Sequence, residues 1–167
     1  KEHADVLIIG GGPGGYVAAI QAAQNGKSVI LAERSALGGT CLNVGCIPTK
    51  TLIKSAEVLD EIKHASEFGI AMNAEVHADM NAVIDRKNRV VKKLVAGIEY
   101  LMKKNSIQVI RGKATLSEAH TAVIEGTDKT VTVAADSVII ATGSATAVPR
   151  IPGIDLPCVM DSTAALD

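Results

Sequence analysis

The stretch DVLIIGGGPGGYVAAIQAAQNG, residues 5–26, constrains the fold of this chain more than any other. A continuous apolar run, residues 5–9, stops at GGGPGG, residues 10–15, and an alanine-rich helical pattern follows. Asn25-Gly26 closes that pattern, a pair suited to a helix C-terminus. SVILAE, residues 28–33, reads as a second buried strand. Strand, glycine turn, helix and strand together make a βαβ unit with a parallel strand pair.

Gly10, Gly12 and Gly15 match the G-x-G-x-x-G pattern of dinucleotide-binding turns. The first glycine permits the tight turn, the second lets backbone approach a pyrophosphate, and the third lets helix pack on strand. The helix would aim its N-terminal N–H groups and positive dipole end at phosphate. Glu33 ends the second strand, where a carboxylate can accept hydrogen bonds from a ribose diol. The alternatives are a purely structural turn and an ordinary exposed charge at a strand end. The pattern alone does not separate FAD from NAD.

Composition fits this frame. With 167 residues the chain can bury a sizeable core as one domain or slightly more. Its core must be mostly Val, Ile, Leu and Ala, because hydrophobic residues reach 47% with only two Tyr and one Phe. That palette suits buried parallel strands covered by helices. Lys and Arg number 17 against 18 Asp and Glu, so nothing in the charge favours a nucleic-acid or membrane surface. No segment reads as a signal peptide or a membrane span. Three cysteines are too few for a disulfide-stapled secreted domain.

Further on, an amphipathic pattern is expected from about Pro48 to Phe68. Asp79 is expected to cap a long helix over 79–104, with Met80, Val83, Val90, Leu94, Ile98 and Leu101 recurring at three- and four-residue steps and Lys87 interrupting them. From Ile107 short β-rich runs follow, IQVIRG, TAVIEG, TVTVAA and SVIIATGS. The proline-rich end, ATAVPRIPGIDLPC, reads as an extended connection. The expected fold class is therefore α/β, a Rossmann-like domain with a parallel sheet, helices and a small additional β-meander. Residues 1–150 form that domain and 151–167 a connection.

GGTCLNVGCIPTK, residues 38–50, holds Cys41 and Cys46. Zinc is disfavoured: cysteine pairs in zinc sites are usually closer, and neither a second Cys pair nor a His pair is present. An inert disulfide stays open, although a short loop gives little reason for one. A redox pair has a physical cause. Pro48 suits a first helical turn, so Cys46 lies near a helix N-terminus, where N–H groups stabilise a thiolate. Lys50 falls on the same helical face as Cys46, and Cys41, in the loop before, would be the more accessible sulfur.

This segment resembles the redox-active disulfide motif of the flavoprotein pyridine nucleotide-disulfide oxidoreductases. IIGGGPGGYVAAIQAAQNG and ILAERSALGGTC are similar to the dihydrolipoamide dehydrogenase branch of that family, and VIIATGS to its second FAD-contact segment. The resemblance implies that Gly10, Gly12, Pro13, Gly14 and Gly15 line the FAD pyrophosphate, with Glu33 and Arg34 at the ribose. It implies that Gly39, Thr40 and Cys41 pass beside the flavin and that Lys50 lies near it. Cys46 would be the charge-transfer thiolate and Cys41 the interchange thiol, disulfide-bonded to each other in the oxidised state. Ala114, Ala141, Thr142, Gly143 and Ser144 would make further FAD contacts. No metal is implied.

The implied reaction is oxidation of dihydrolipoamide, with electrons passing through Cys41 and Cys46 to FAD and then to NAD as co-substrate. Implied partners are the lipoyl domains of 2-oxoacid dehydrogenase complexes and a second copy of the full enzyme. The implied compartment is the bacterial cytoplasm, with the mitochondrial matrix as alternative. Thr49 and Thr51 stand where the branch more often has Ser and Ala. A second G-x-G-x-x-G is absent, and His3, His64, His77 and His120 sit in no matching catalytic motif. The chain is thus expected to be incomplete relative to the family, ending near a further NAD domain, and not to complete catalysis alone. Mercuric and glutathione reductases are the alternatives within the family, and a nucleotide-binding module without activity is the alternative outside it.

Overall fold

A computed structural model describes residues 1–166. Strand β1 (Glu2–Ile9) leads through the glycine turn into α1 (Pro13–Gln24) and back into β2 (Val29–Glu33). Two consecutive helices follow, α2 (Gly39–Val44) and α3 (Cys46–Lys63), and then a 3-10 turn, Ala65–Phe68. The long α4 (Met80–Lys104) precedes β3 (Gln108–Arg111), β4 (Lys113–Glu118), β5 (Thr121–Glu125) and β6 (Thr130–Ile140).

All six strands form one sheet in the order β3-β2-β1-β6-β5-β4. The β3, β2, β1 and β6 neighbours are parallel, whereas β6, β5 and β4 are an antiparallel meander. Strand β6 belongs to both parts: Thr130–Ala134 pair with β5, while Val133–Ile140 pair with β1. The expectation of two separate runs, TVTVAA and SVII, is therefore corrected to one strand of 11 residues. It stays unbroken through Asp136 because β1 pairs with it on both sides of that residue, at Val133–Ala135 and at Ser137–Ile140. KATLSE, not singled out in the sequence, is β4.

Edge strands β3 and β4 are separated in the chain by Gly112 alone. The sheet therefore curls until its two edges approach, and the meander lies over one face. Between them sits one core of Leu7, Ile9, Ile30, Ala32, Ala122, Ile124 and Val133. Alternate residues of the same strands, Ile8, Val29 and Leu31, pack with Ala19 of α1 and Met102 of α4 in a second core. Strand β1 is buried on both sides, as its continuous apolar run requires.

Helix α4 starts where expected, with the Asp79 carboxylate accepting from the N–H groups of Asn81 and Ala82. Its apolar stripe is another matter. Met80 and Leu94 are exposed, whereas Lys87 is 3% exposed and donates to the carbonyl of Leu166. The lysine that breaks the pattern is thus one of the helix's two buried residues.

The middle of β1 is tied to Ser28, the residue before β2, by reciprocal bonds. Asp5 Oδ2 accepts from the Ser28 N–H (2.6 Å) and hydroxyl (2.8 Å), and the Asp5 N–H donates to Ser28 Oγ. The Ser28 backbone bond, followed by its hydroxyl, holds the Asp5 carboxyl below its usual range. A lowered carboxyl stabilises the fold above its unfolded value, about 3.9, and loses that contribution as pH falls through the folded value. Asp5→Asn is accordingly expected to flatten the stability loss below about pH 4. Denaturant midpoints at several acid pH values check this, and parallel wild-type and variant curves would contradict it.

Candidate active site

The parallel strands end side by side, and backbone bonds extend the alignment beyond them. Gly10 N–H donates to Ala32 O (2.8 Å), Ala141 N–H to Ile9 O (2.8 Å) and Gly112 N–H to Glu33 O (2.9 Å). The order reverses at β1, with β2 on one side and β6 on the other. A crevice at the carboxyl ends of strands beside such a reversal is where open α/β sheets bind ligands.

The crevice there has two lobes. The larger, about 780 Å³, is lined by Gly10, Gly12, Pro13, Gly14, Glu33, Arg34, Gly39, Thr40, Cys41, Cys46 and Ala141–Ser144, all anticipated from sequence. The smaller, about 330 Å³, contains Ala114 and shares Gly10, Glu33, Arg34 and Thr142–Ser144 with the first. Gly15 and Lys50 line neither lobe. Gly15 lies beneath the turn, and Lys50 is exposed on α3, where its charge acts on Cys41.

The glycines divide into two kinds. A Cβ at Gly15 would lie 1.8 Å from Gly10 O, and one at Gly10, whose φ is +108°, would lie 2.2 Å from Ala141 O. Packing within the chain forbids a side chain at either. At Gly12 and Gly14 the nearest such contacts are 3.7 Å and 3.9 Å. Nothing inside the protein demands glycine at these two positions, and both border the larger lobe. The N-terminus of α1 has no side-chain cap and no acidic residue in its first turn. Bare backbone, open N–H groups and a helix dipole suit a bound pyrophosphate.

Glu33 does more than sequence reasoning assigned to it. It is 9% exposed; Oε2 accepts from Gly11 N–H (2.6 Å) and Oε1 from Ser35 N–H (2.7 Å). Each oxygen keeps a lone pair, but the carboxylate already clamps the glycine turn to the exit of β2. Sequence reasoning missed Gly11 as a donor, and also Ser35, Ala36, Asn43, Val44 and Gly45 as lining residues. Their one legible signal was adjacency to a strand end or to a cysteine.

The cysteines meet because two helices break between them. Cys41 lies in α2, not in the expected loop, and Cys46 is the first residue of α3. Gly45 joins the helices, and a Cβ there would lie 2.8 Å from Thr40 O and 3.4 Å from the Cys41 Cα. Cys41 is half-buried and Cys46 exposed, which corrects the expected order of accessibility. Both are thiols here. A hydrogen bond to Cys46, then burial, raises the Cys41 pKa above the usual thiol value, while Lys50 acts in the opposite sense. The alkylation midpoint of Cys41 is therefore expected above that of a free thiol, falling when Cys46→Ala removes the partner. Mass-spectrometric alkylation profiles against pH check this, and an unmoved midpoint would contradict it.

Among the described residues no cluster of three or more His, Cys, Asp or Glu is placed to hold a metal ion. None of their helices is long and apolar enough to cross a membrane.

The crevice runs from the glycine turn to a pair of thiols, an arrangement suited to a dinucleotide held beside them. Residues 4–166 match the pyridine nucleotide-disulphide oxidoreductase family, and the chain belongs to that family. The family takes its description from a pyridine nucleotide and a disulphide, and the solved relative described below is a flavoprotein. The dihydrolipoyl dehydrogenase of Bacillus subtilis is 48% identical over 162 residues, covering 96% of this chain and 35% of the relative. That of Acholeplasma laidlawii is 46% identical over 154 residues, covering 92% and 44%. Among solved structures, the Cu(II) complex of the HOCl-induced flavoprotein disulfide reductase RclA from Escherichia coli is similar. Its TM-score is 0.83 at 33% identity, covering 100% of this chain and 35% of that one. The chain thus spans less than half the length of these relatives.

Proposed function

We propose that this chain is the FAD-binding, redox-dithiol portion of a dihydrolipoyl dehydrogenase that oxidises dihydrolipoamide with NAD⁺. Residues 1–150 act as the cofactor-binding unit and 151–167 as a connecting segment. The observation that carries the reading is a single crevice running from Ala114, past the internally unconstrained Gly12 and Gly14, to Cys41 and Cys46.

In this reading Gly12, Gly14 and the first turn of α1 hold the FAD pyrophosphate, Glu33 and Arg34 face its ribose, and Ala114 borders the adenine end. Gly39, Thr40, Ala141, Thr142, Gly143 and Ser144 border the remainder, and Lys50 contributes charge from α3. FAD, when bound, carries the electron pair from the thiols to NAD⁺. The chain's own step is thiol–disulfide exchange. By the role the resemblance assigns it, Cys41, although the less exposed sulfur, is the one a dihydrolipoamide thiolate attacks, breaking the Cys41–Cys46 bond and forming a mixed disulfide. The second substrate thiol then closes lipoamide and releases Cys41. Two electrons and two protons leave dihydrolipoamide and reduce the cysteine pair. The neighbouring Cys46 raises the Cys41 pKa, which favours keeping a proton on Cys41 in the reduced pair.

Lipoyl domains of 2-oxoacid dehydrogenase complexes would deliver the substrate, to a homodimer of the full enzyme in the bacterial cytoplasm. The test is a visible spectrum of the full enzyme with FAD, before and after dihydrolipoamide, with oxidised glutathione and Hg²⁺ as competing oxidants in the presence of NADPH. Bound flavin that gains a long-wavelength band with dihydrolipoamide supports the reading. Flavin that stays free, or responds only through glutathione or Hg²⁺, overturns it.

A further inference from the structure

Helix α2 carries Cys41 but has little of its own to fix its position. Six residues are too few for a self-supporting helix, and its N-cap, Gly38, offers no side-chain bond. The chain enters through two consecutive left-handed residues, Gly38 (φ +96°) and Gly39 (φ +54°). One side chain spans this entry. Asn43 Nδ2 donates to Leu37 O (3.1 Å) and to Gly39 O (2.9 Å). Gly38 N–H in turn donates to Gly11 O (2.8 Å), and a Cβ at Gly39 would lie 2.7 Å from the Gly12 Cα. The entry is therefore fixed to the glycine turn, and Asn43 fixes α2 to the entry.

We propose that Asn43 is a positioning residue for the cysteine pair: its two hydrogen bonds hold α2 so that Cys41 and Cys46 stay within reach of each other as thiols. This rests on the redox-dithiol reading above. Asn43 touches neither reacting sulfur in this role. It acts by restricting where Cys41 can go, which raises the effective concentration of one thiol at the other. Loss of both donors leaves the Leu37 and Gly39 carbonyls without that partner and lets α2 shift while the dithiol is open.

The test is equilibration of the intact protein with glutathione. Glutathione disulfide oxidises the pair: its S–S bond breaks, the Cys41–Cys46 bond forms, and the two thiol protons and two electrons appear in two molecules of glutathione. Asn43→Asp and Asn43→Ala are expected to lower the equilibrium effective molarity about tenfold, the equivalent of two modest hydrogen bonds. A merely structural role predicts a different result. The thermal midpoint would fall equally in the dithiol and disulfide forms, with the glutathione equilibrium unmoved, and that outcome overturns the proposal. Should the variants not fold, wild-type hydrogen exchange decides. The amides of Leu42 and Asn43 must be protected in the dithiol form, and free exchange there overturns the proposal. A wild-type pair that never closes a disulfide refutes the redox reading itself, before any variant is compared.

Discussion

Gly15→Ala is expected to leave little folded protein. The added methyl would sit 1.8 Å from Gly10 O, and neither atom has a flexible end that can yield. Both are backbone, one in α1 and one in the turn that joins it to β1, so relief requires the helix to move off the sheet. Overpacking in a yielding core costs about 1–3 kcal/mol, and an unyielding contact should exceed that. A loss of about 3 kcal/mol or more takes a large share of the 5–15 kcal/mol typical of a domain. Gly14→Ala is the internal control. Its Cβ meets nothing nearer than 3.9 Å, so stability should change by less than about 1 kcal/mol while FAD affinity falls. Urea denaturation and flavin titration of both variants check the pair. Equal stability losses would refute the division of the glycines into two kinds.

The second large effect concerns the sulfurs. Cys41→Ser or Cys46→Ser in the complete enzyme is expected to reduce lipoamide-linked turnover at least about a thousandfold, because a hydroxyl neither forms the disulfide nor accepts its electrons. Flavin content should persist, since the glycine turn and the Ala114 lobe are untouched. Steady-state rates with dihydrolipoamide and NAD⁺ measure the first, and protein-bound absorbance the second. A serine variant within tenfold of wild type would mean that electrons reach the flavin by another route.

How legible this was in the sequence depended on the range of the interaction. The βαβ unit was plain because Gly10, Gly12 and Gly15 signal local backbone geometry, and Asp79 capped α4 as a local rule predicts. The continuity of β6 was not, because Asp136 and Ser137 look like a turn until β1 is known to lie beside them. The stripe on α4 marked the helix and left Val83, Val90, Ile98 and Leu101 half-buried, but it did not show which residue lies deepest. Periodicity marks a face without saying what covers it, and Lys87 is buried through a bond to Leu166, far along the chain. At the site, Gly12 and Cys46 were readable as motif letters. The clamp made by Glu33 and the brace made by Asn43 were not, since each acts on backbone groups whose positions only the folded chain defines.

The pairing of Glu2 with Val133 has a consequence for biosynthesis. Strand β1 leaves the ribosome well before its partner β6, so its buried apolar run stays unmatched on one side for roughly ten seconds of translation. Only β2, through α1, can shelter it early. An arrest that exposes the chain as far as α4 but not β6 would present the whole of β1 as a sticky edge. Chaperone demand during synthesis should therefore peak late and fall abruptly once Ile140 emerges.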